Sequence, residues 1–136
     1  HHFMSNEDGG ANKSAQFDDT GIIGVRTTHD DAELYAFVTI PRGMSATEVT
    51  VYGNDTALVV NVYESDINAG VLTQKDDASC VVGTECELES AIIADATNYV
   101  VIKVTTTSAA TDIVYGGFYI MDKHSEDLVL GCYKII

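Results

Sequence analysis

Residues 47–64, TEVTVYGNDTALVVNVYE, leave the backbone few choices. Val49 and Val51 alternate with Glu48 and Thr50, and Leu58, Val60 and Val62 alternate with Val59, Asn61 and Tyr63. A pleated strand points successive side chains to opposite faces, so each half reads as a strand with one buried face. Between them, Gly53-Asn54-Asp55-Thr56 tolerate positive φ and bond their own backbone, which predicts a tight reversal and an antiparallel hairpin. A hairpin with one apolar face is unstable alone, so the rest of the chain must supply a sheet to cover it.

Other segments meet that requirement. Residues 20–28, with Ile22, Ile23 and Val25, read as a first strand ended by His29-Asp30-Asp31. Residues 33–40, ELYAFVTI, put Leu34, Ala36, Val38 and Ile40 on one face and Tyr35, Phe37 and Thr39 on the other. Both faces are apolar, the mark of a central strand or one that meets a partner subunit. Pro41 stops it, because proline cannot donate to a ladder. Val71 and Leu72 mark a short edge strand, residues 80–82 and 86–88 are placed to pair about Gly83, and residues 90–96 fit a strand or a helical turn equally. Residues 99–105, YVVIKVT, form a strand with Val100, Ile102 and Val104 inward. Residues 112–121 form another, interrupted at Gly116-Gly117, where a bulge or a close backbone approach is expected. A last strand occupies residues 128–136. About eight strands at ~8–15-residue spacing, with no amphipathic helix, predict an all-β, two-sheet antiparallel β-sandwich of jelly-roll or Greek-key type, with the jelly roll preferred.

Size and composition agree with a single domain. At 136 residues the chain can hold its own core without metal or disulfide staples. Residues 1–19 read as a polar arm or linker and residues 20–136 as the sandwich. Composition favours residues 1–3, His1-His2-Phe3, as the remnant of an affinity tag with Met4 as native start; continuation from a longer polypeptide is the other reading. The start has no signal-peptide pattern, and no apolar run approaches the ~20 residues of a membrane span. Acidic residues number 21 against 7 basic, a net charge of −14, which repels nucleic acid and anionic membrane. Three cysteines leave one over. Cys80 and Cys86 would close a small disulfide ring if their segment is a hairpin, whereas free, half-buried thiols are expected in a reducing cytoplasm.

Catalytic motifs are missing. Carboxylate pairs such as Asp18-Asp19, Asp30-Asp31 and Asp76-Asp77 lie in solvated loops, where nothing raises the pKa of one member as a glycosidase needs. Gly43-Met44-Ser45-Ala46-Thr47 lacks the closing glycine and the helix of a nucleophile elbow. Calcium takes hard oxygen ligands from loops, so Asp30, Asp31 and Glu33, or Asn54 and Asp55, or Asp76 and Asp77, are its candidate ligands, although none has the spacing of a calcium loop and solvated turn residues explain them better. His29 with Asp30 and the distant His124 is a weaker zinc or nickel candidate, and no Cys-x-x-Cys pair exists. Tyr35, Tyr52, Tyr63, Tyr115 and Tyr119 would have to share one face to make a sugar-binding platform, and core or subunit packing explains them equally well. Asn12-Lys13-Ser14 and Asn54-Asp55-Thr56 match the glycosylation pattern, which matters only in a eukaryotic secretory setting. No catalytic, cofactor-binding or metal-ligating residue is therefore assigned, and the chain is not expected to be an enzyme.

Several phrases carry a resemblance. Ala36-Phe37-Val38-Thr39-Ile40-Pro41, Ala46-Thr47-Glu48-Val49, Val62-Tyr63-Glu64, Val82-Gly83-Thr84-Glu85, Thr97-Asn98-Tyr99 with Ile102-Lys103-Val104, and Ile113-Val114-Tyr115-Gly116-Gly117 resemble a β-rich module in virion structural proteins of marine tailed bacteriophages, including those infecting cyanobacteria. The resemblance runs from about residue 17 to residue 120 and contains no catalytic signature. Residues 1–9 also look like the lead-in to such modules, which favours a native fragment of a longer protein. The resemblance implies a virion structural role in a fibre, capsid decoration or tail-associated protein, by self-association, with a trimer favoured, and by contact with other virion proteins. Residues 33–40 and 99–105 agree, having more apolar surface than one small sandwich needs. The rival is a carbohydrate-binding module reading a host surface glycan, marked by a row of exposed tyrosines beside a calcium site.

Overall fold

A computed structural model of the chain describes residues 3–5, 15–18, 21, 23–77, 80–108, 111–123 and 131–135. The described residues form strands β1 (Phe3–Ser5), β2 (Ala15–Asp18), β3 (Gly24–Thr27), β4 (Glu33–Val38), β5 (Met44–Gly53), β6 (Val59–Asp66), β7 (Val71–Gln74), β8 (Glu85–Ile93), β9 (Asn98–Thr105), β10 (Ile113–Lys123) and β11 (Gly131–Ile135). They contain no helix. Sheet I runs β1-β4-β9-β6-β7 and sheet II runs β2-β3-β10-β5-β8, with β11 also paired to β10. All pairings are antiparallel. From β3 to β10 the chain changes sheet at each connection except β6–β7, and the resulting orders β4-β9-β6-β7 over β3-β10-β5-β8 are those of a jelly roll.

The period-two pattern sets the core. Val49 and Val51 of β5, Val60 and Val62 of β6, and Val100, Ile102 and Val104 of β9 are all buried, joined by Leu34, Ala36, Ile92, Val114 and Met121. Burying each such aliphatic side chain contributes about 1.5–3 kcal/mol, so the facing rows dominate the stability. Polar ties also cross between sheets. The Thr27 and Thr106 hydroxyls lie 3.0 Å apart and buried, and Thr106 Oγ1 donates to the Ala32 carbonyl at 2.9 Å.

Three expectations change. The stretch 47–64 is not a hairpin: β5 lies in sheet II and β6 in sheet I, so the reversal turns a corner between sheets. Asn54 holds that corner, its Oδ1 accepting from the Ile113 amide at 2.7 Å and its Nδ2 donating to the Thr111 carbonyl, while Leu58 drops into the core. Residues 80–82 do not pair with 86–88. Val81 bridges to Val59 in sheet I, Cys86 pairs with Val49 in sheet II, and a Cys80–Cys86 disulfide links the two places. Residues 15–18, read as part of an arm, form an edge strand beside β3, and residues 3–5 form one beside β4.

Gly116-Gly117 brings both expected features. The β10 register slips between Val114 and Gly116, and a Cβ on Gly117 would collide with the Thr50 carbonyl oxygen and crowd Val51 Cα at 3.2 Å. Residues 90–93 complete β8, and Val71-Leu72 opens the edge strand β7.

Candidate functional site

The outer face of sheet I is an aromatic surface. In-register pairs set Val101 between Phe37 and Tyr63, with Lys103 between Tyr35 and Asn61 in the next row. Phe37 and Tyr99 rings lie 5.8 Å apart, and Phe37 remains 40% exposed. Val101 points away from the sandwich core yet is only 1% exposed, because the aromatic side chains around it cover it. One ionic network crosses this face: Lys103 Nζ lies 3.2 Å from Glu33 Oε1 and 5.9 Å from the Tyr63 ring, while the Tyr35 hydroxyl donates to Glu33 Oε2 at 2.7 Å. Burial pulls the Lys103 ammonium pKa down, but the Glu33 carboxylate and Tyr63 outweigh it and raise the value above the ordinary one.

A polar cleft of about 370 Å³ opens where the inner face of sheet I leaves the core, lined by Glu64, Asp66, Ala69, Val71, Thr73, Asp95 and Asn98. Its groups largely satisfy one another. Asn98 Nδ2 donates to Glu64 Oε1 at 2.8 Å, Lys75 Nζ lies 2.9 Å from Glu64 Oε2, and Asp95 Oδ1 accepts from the Thr97 and Asn98 amides. Those amides, Thr97 first, hold the Asp95 carboxyl below its usual pKa.

The outer face of sheet II is acidic where β5 meets β8. Glu48 lies directly opposite Glu87, and Glu85 lies one step along the same face, opposite Thr50. Burial first, then the neighbouring Glu85 and Glu87 carboxylates, push Glu48 up to about 7. Beside them a depression of about 240 Å³ is lined by Asp77, Cys80, Thr84, Glu85 and Glu87. Asp77 is one of the calcium candidates, but Glu48, Glu85 and Glu87 are not singled out in the sequence, because Glu48 meets Glu85 and Glu87 only after β8 docks on β5. Alternation does place Glu48 outward, which is the one signal the sequence offers.

The calcium candidates do not converge. Glu33 is engaged by Lys103 and Tyr35, Asn54 by the β10 backbone, and Asp55 by the Ala57 amide at 2.8 Å. Asp76 is buried and accepts from the Val62 amide at 2.5 Å and Asn61 Nδ2 at 3.2 Å, a structural duty. Asp30 and Asp31 sit in the exposed β3–β4 turn, where Asp31 takes a φ of 55°. Among the described residues no group of three or more His, Cys, Asp or Glu is placed to hold a metal ion. His124, Asn12, Asp19 and Ile22 lie outside the described residues.

The tyrosines divide among four places. Tyr35 and Tyr63 lie on the outer face of sheet I and Tyr52 beside Phe118 on sheet II, their ring centroids 5.9 Å apart. Tyr119 is core, donating to the Thr39 carbonyl at 3.3 Å, and Tyr115 sits exposed at the β10 bulge. No single row forms among the five. In comparisons with known proteins, no family model, no curated protein and no solved structure matches this chain.

Proposed function

We propose that the domain is a virion structural or accessory module, in a capsid decoration, fibre or tail-associated protein, that works by assembling with further copies of itself and displaying a surface. One observation carries this reading: the outer face of sheet I gathers Tyr35, Phe37, Tyr63 and Tyr99 over a buried Val101, on a side of the sheet that no described element covers. An exposed face of this kind marks a subunit contact, where Tyr and Phe are enriched. The resemblance favours a trimer. The role needs no chemistry.

Light scattering of the purified domain, with and without a chelator, tests the reading. A trimer or larger assembly indifferent to chelator is expected, and Phe37→Glu should reduce it to monomer. A wild-type monomer would overturn assembly by this domain alone. The second reading, binding of a host surface glycan, draws support from the polar cleft lined by Glu64, Asp66, Thr73, Asp95 and Asn98, whose oxygens suit sugar hydroxyls. It predicts glycan retention that Asn98→Ala abolishes.

A further inference from the structure

β7 is the outermost strand of sheet I, and its free side is unguarded. Sheet edges are ordinarily protected from pairing by charged residues, proline or a bulge. The sheet II edge β8 carries Glu85, Glu87 and Glu89. β7 carries Val71, Leu72, Thr73 and Gln74, none charged and none proline, in unbroken register with β6. All four residues are exposed, Val71 and Leu72 at 51% each, in a chain of net charge −14. An acidic chain is repelled least by its own copy where its surface is neutral.

Register decides which main-chain groups face outward. The Lys75 amide donates to the Val62 carbonyl at 2.8 Å, and bonded positions alternate along an antiparallel ladder. Thr73 and Val71 therefore turn their amides and carbonyls toward Glu64 and Asp66, while Leu72 and Gln74 turn theirs to the open side. A two-fold axis at Thr73 matches this edge to itself. The Leu72 amide meets the Gln74 carbonyl of a second copy, the Gln74 amide of that copy meets the Leu72 carbonyl, and symmetry repeats the exchange. The same register sets Lys75 of the second copy opposite Val71, in the row that runs to Asp66 at the acidic cleft. A cation thus approaches the acids of the other copy, and each Glu64 keeps its own Lys75.

We propose that β7 is a pairing edge for a second copy of this chain, joining two copies of sheet I into one continuous antiparallel sheet across a two-fold axis at Thr73. The contact is separate from the aromatic face. A ladder this short holds little alone, so it forms when copies are concentrated, as they are within an assembly.

Oxidative trapping of the intact domain tests it. A non-bonded antiparallel position brings Cα atoms to about 4.5 Å, inside the roughly 4.4–6.8 Å that a disulfide spans. Thr73→Cys should therefore form a covalent dimer linked at position 73, mapped by mass spectrometry, in a yield that rises with protein concentration. Leu72→Cys is a control on the same exposed strand, but the pairing leaves position 72 diagonal to its own copy at about 7–8 Å, too far to bridge, and it should link far more slowly. Leu72→Pro removes an outward amide and no bond to β6, so adding it to Thr73→Cys should abolish the link while the thermal midpoint shows the domain folded. Gln74→Pro serves if that variant does not fold. Phe37→Glu, a monomer at light-scattering dilution, should still link through Thr73→Cys when concentrated, which separates failure of this pairing from failure of the aromatic face. Equal linking by Thr73→Cys and Leu72→Cys, a link indifferent to the proline, or one that Phe37→Glu abolishes, would overturn edge pairing.

Discussion

Replacing Asp76 by Ala would strand the Val62 amide, which donates to its Oδ1 in the core, and free Asn61 of its acceptor. The expected loss is about 1–3 kcal/mol of stability, the penalty for a buried donor left without a partner, measured by chemical unfolding. An unchanged midpoint would return Asp76 to the class of solvated turn acids in which its neighbour Asp77 was placed from sequence. Asp112 is another such anchor: its Oδ2 accepts from the Thr107 and Ser108 amides and closes the β9–β10 loop. Gly117→Ala should be worse tolerated than most surface changes, by about 1–3 kcal/mol, because the added methyl meets the backbone of Thr50 and neither strand can yield without breaking the ladder. In both cases the residue type was visible in the sequence but its partner was not. Acids in turns look alike until another segment brings an amide to them.

Strands were legible because burial imposes a period of two on the residues that face the core. Val100, Ile102 and Val104 read as inward and are fully buried. What alternation does not encode is the neighbouring strand. Gly53-Asn54-Asp55-Thr56 specify a reversal, and the same turn chemistry serves a hairpin within a sheet or a corner between sheets. The corner forms because β5 finds β10 and β8 on its two sides, while β6 finds β9 and β7. Both strands of the supposed hairpin are therefore interior and already paired. For the same reason the aromatic face was legible only as surplus apolar residues on two strands, and pairing of β4 with β9 gathers it into one surface. The disulfide makes a prediction at this scale. Reducing Cys80–Cys86, or the double change to Ser, opens a ring with a sequence separation of 6 and should lower stability by about 2 kcal/mol on the chain-entropy estimate. Denaturant midpoints with and without reductant measure it, and equal midpoints would mean that the backbone bonds of residues 81–83 hold the crossing unaided.

Across the whole molecule a net charge of −14 opposes any association of identical copies. If sheet I mediates self-assembly, its apolar contact works against that repulsion, which salt screens over about 10 Å at 0.1 M. Assembly should therefore tighten as salt rises, the opposite of an interface built on ion pairs, and light scattering across a salt series reads the sign directly. The jelly-roll winding has a further consequence. β4 lies against β9 and β3 against β10, so most ladders join segments far apart in the chain, and β6–β7 is one of few that close locally. Such a chain pays loop-closure entropy before most of its contacts reward it, which puts refolding in the slow regime of all-β topologies, milliseconds to seconds. During synthesis β4, β5 and β6 emerge long before β9 and β10 arrive to cover their flanks. Half-made chains with those edges open are the species most prone to clump, and folding to the native state waits on the last third of the sequence.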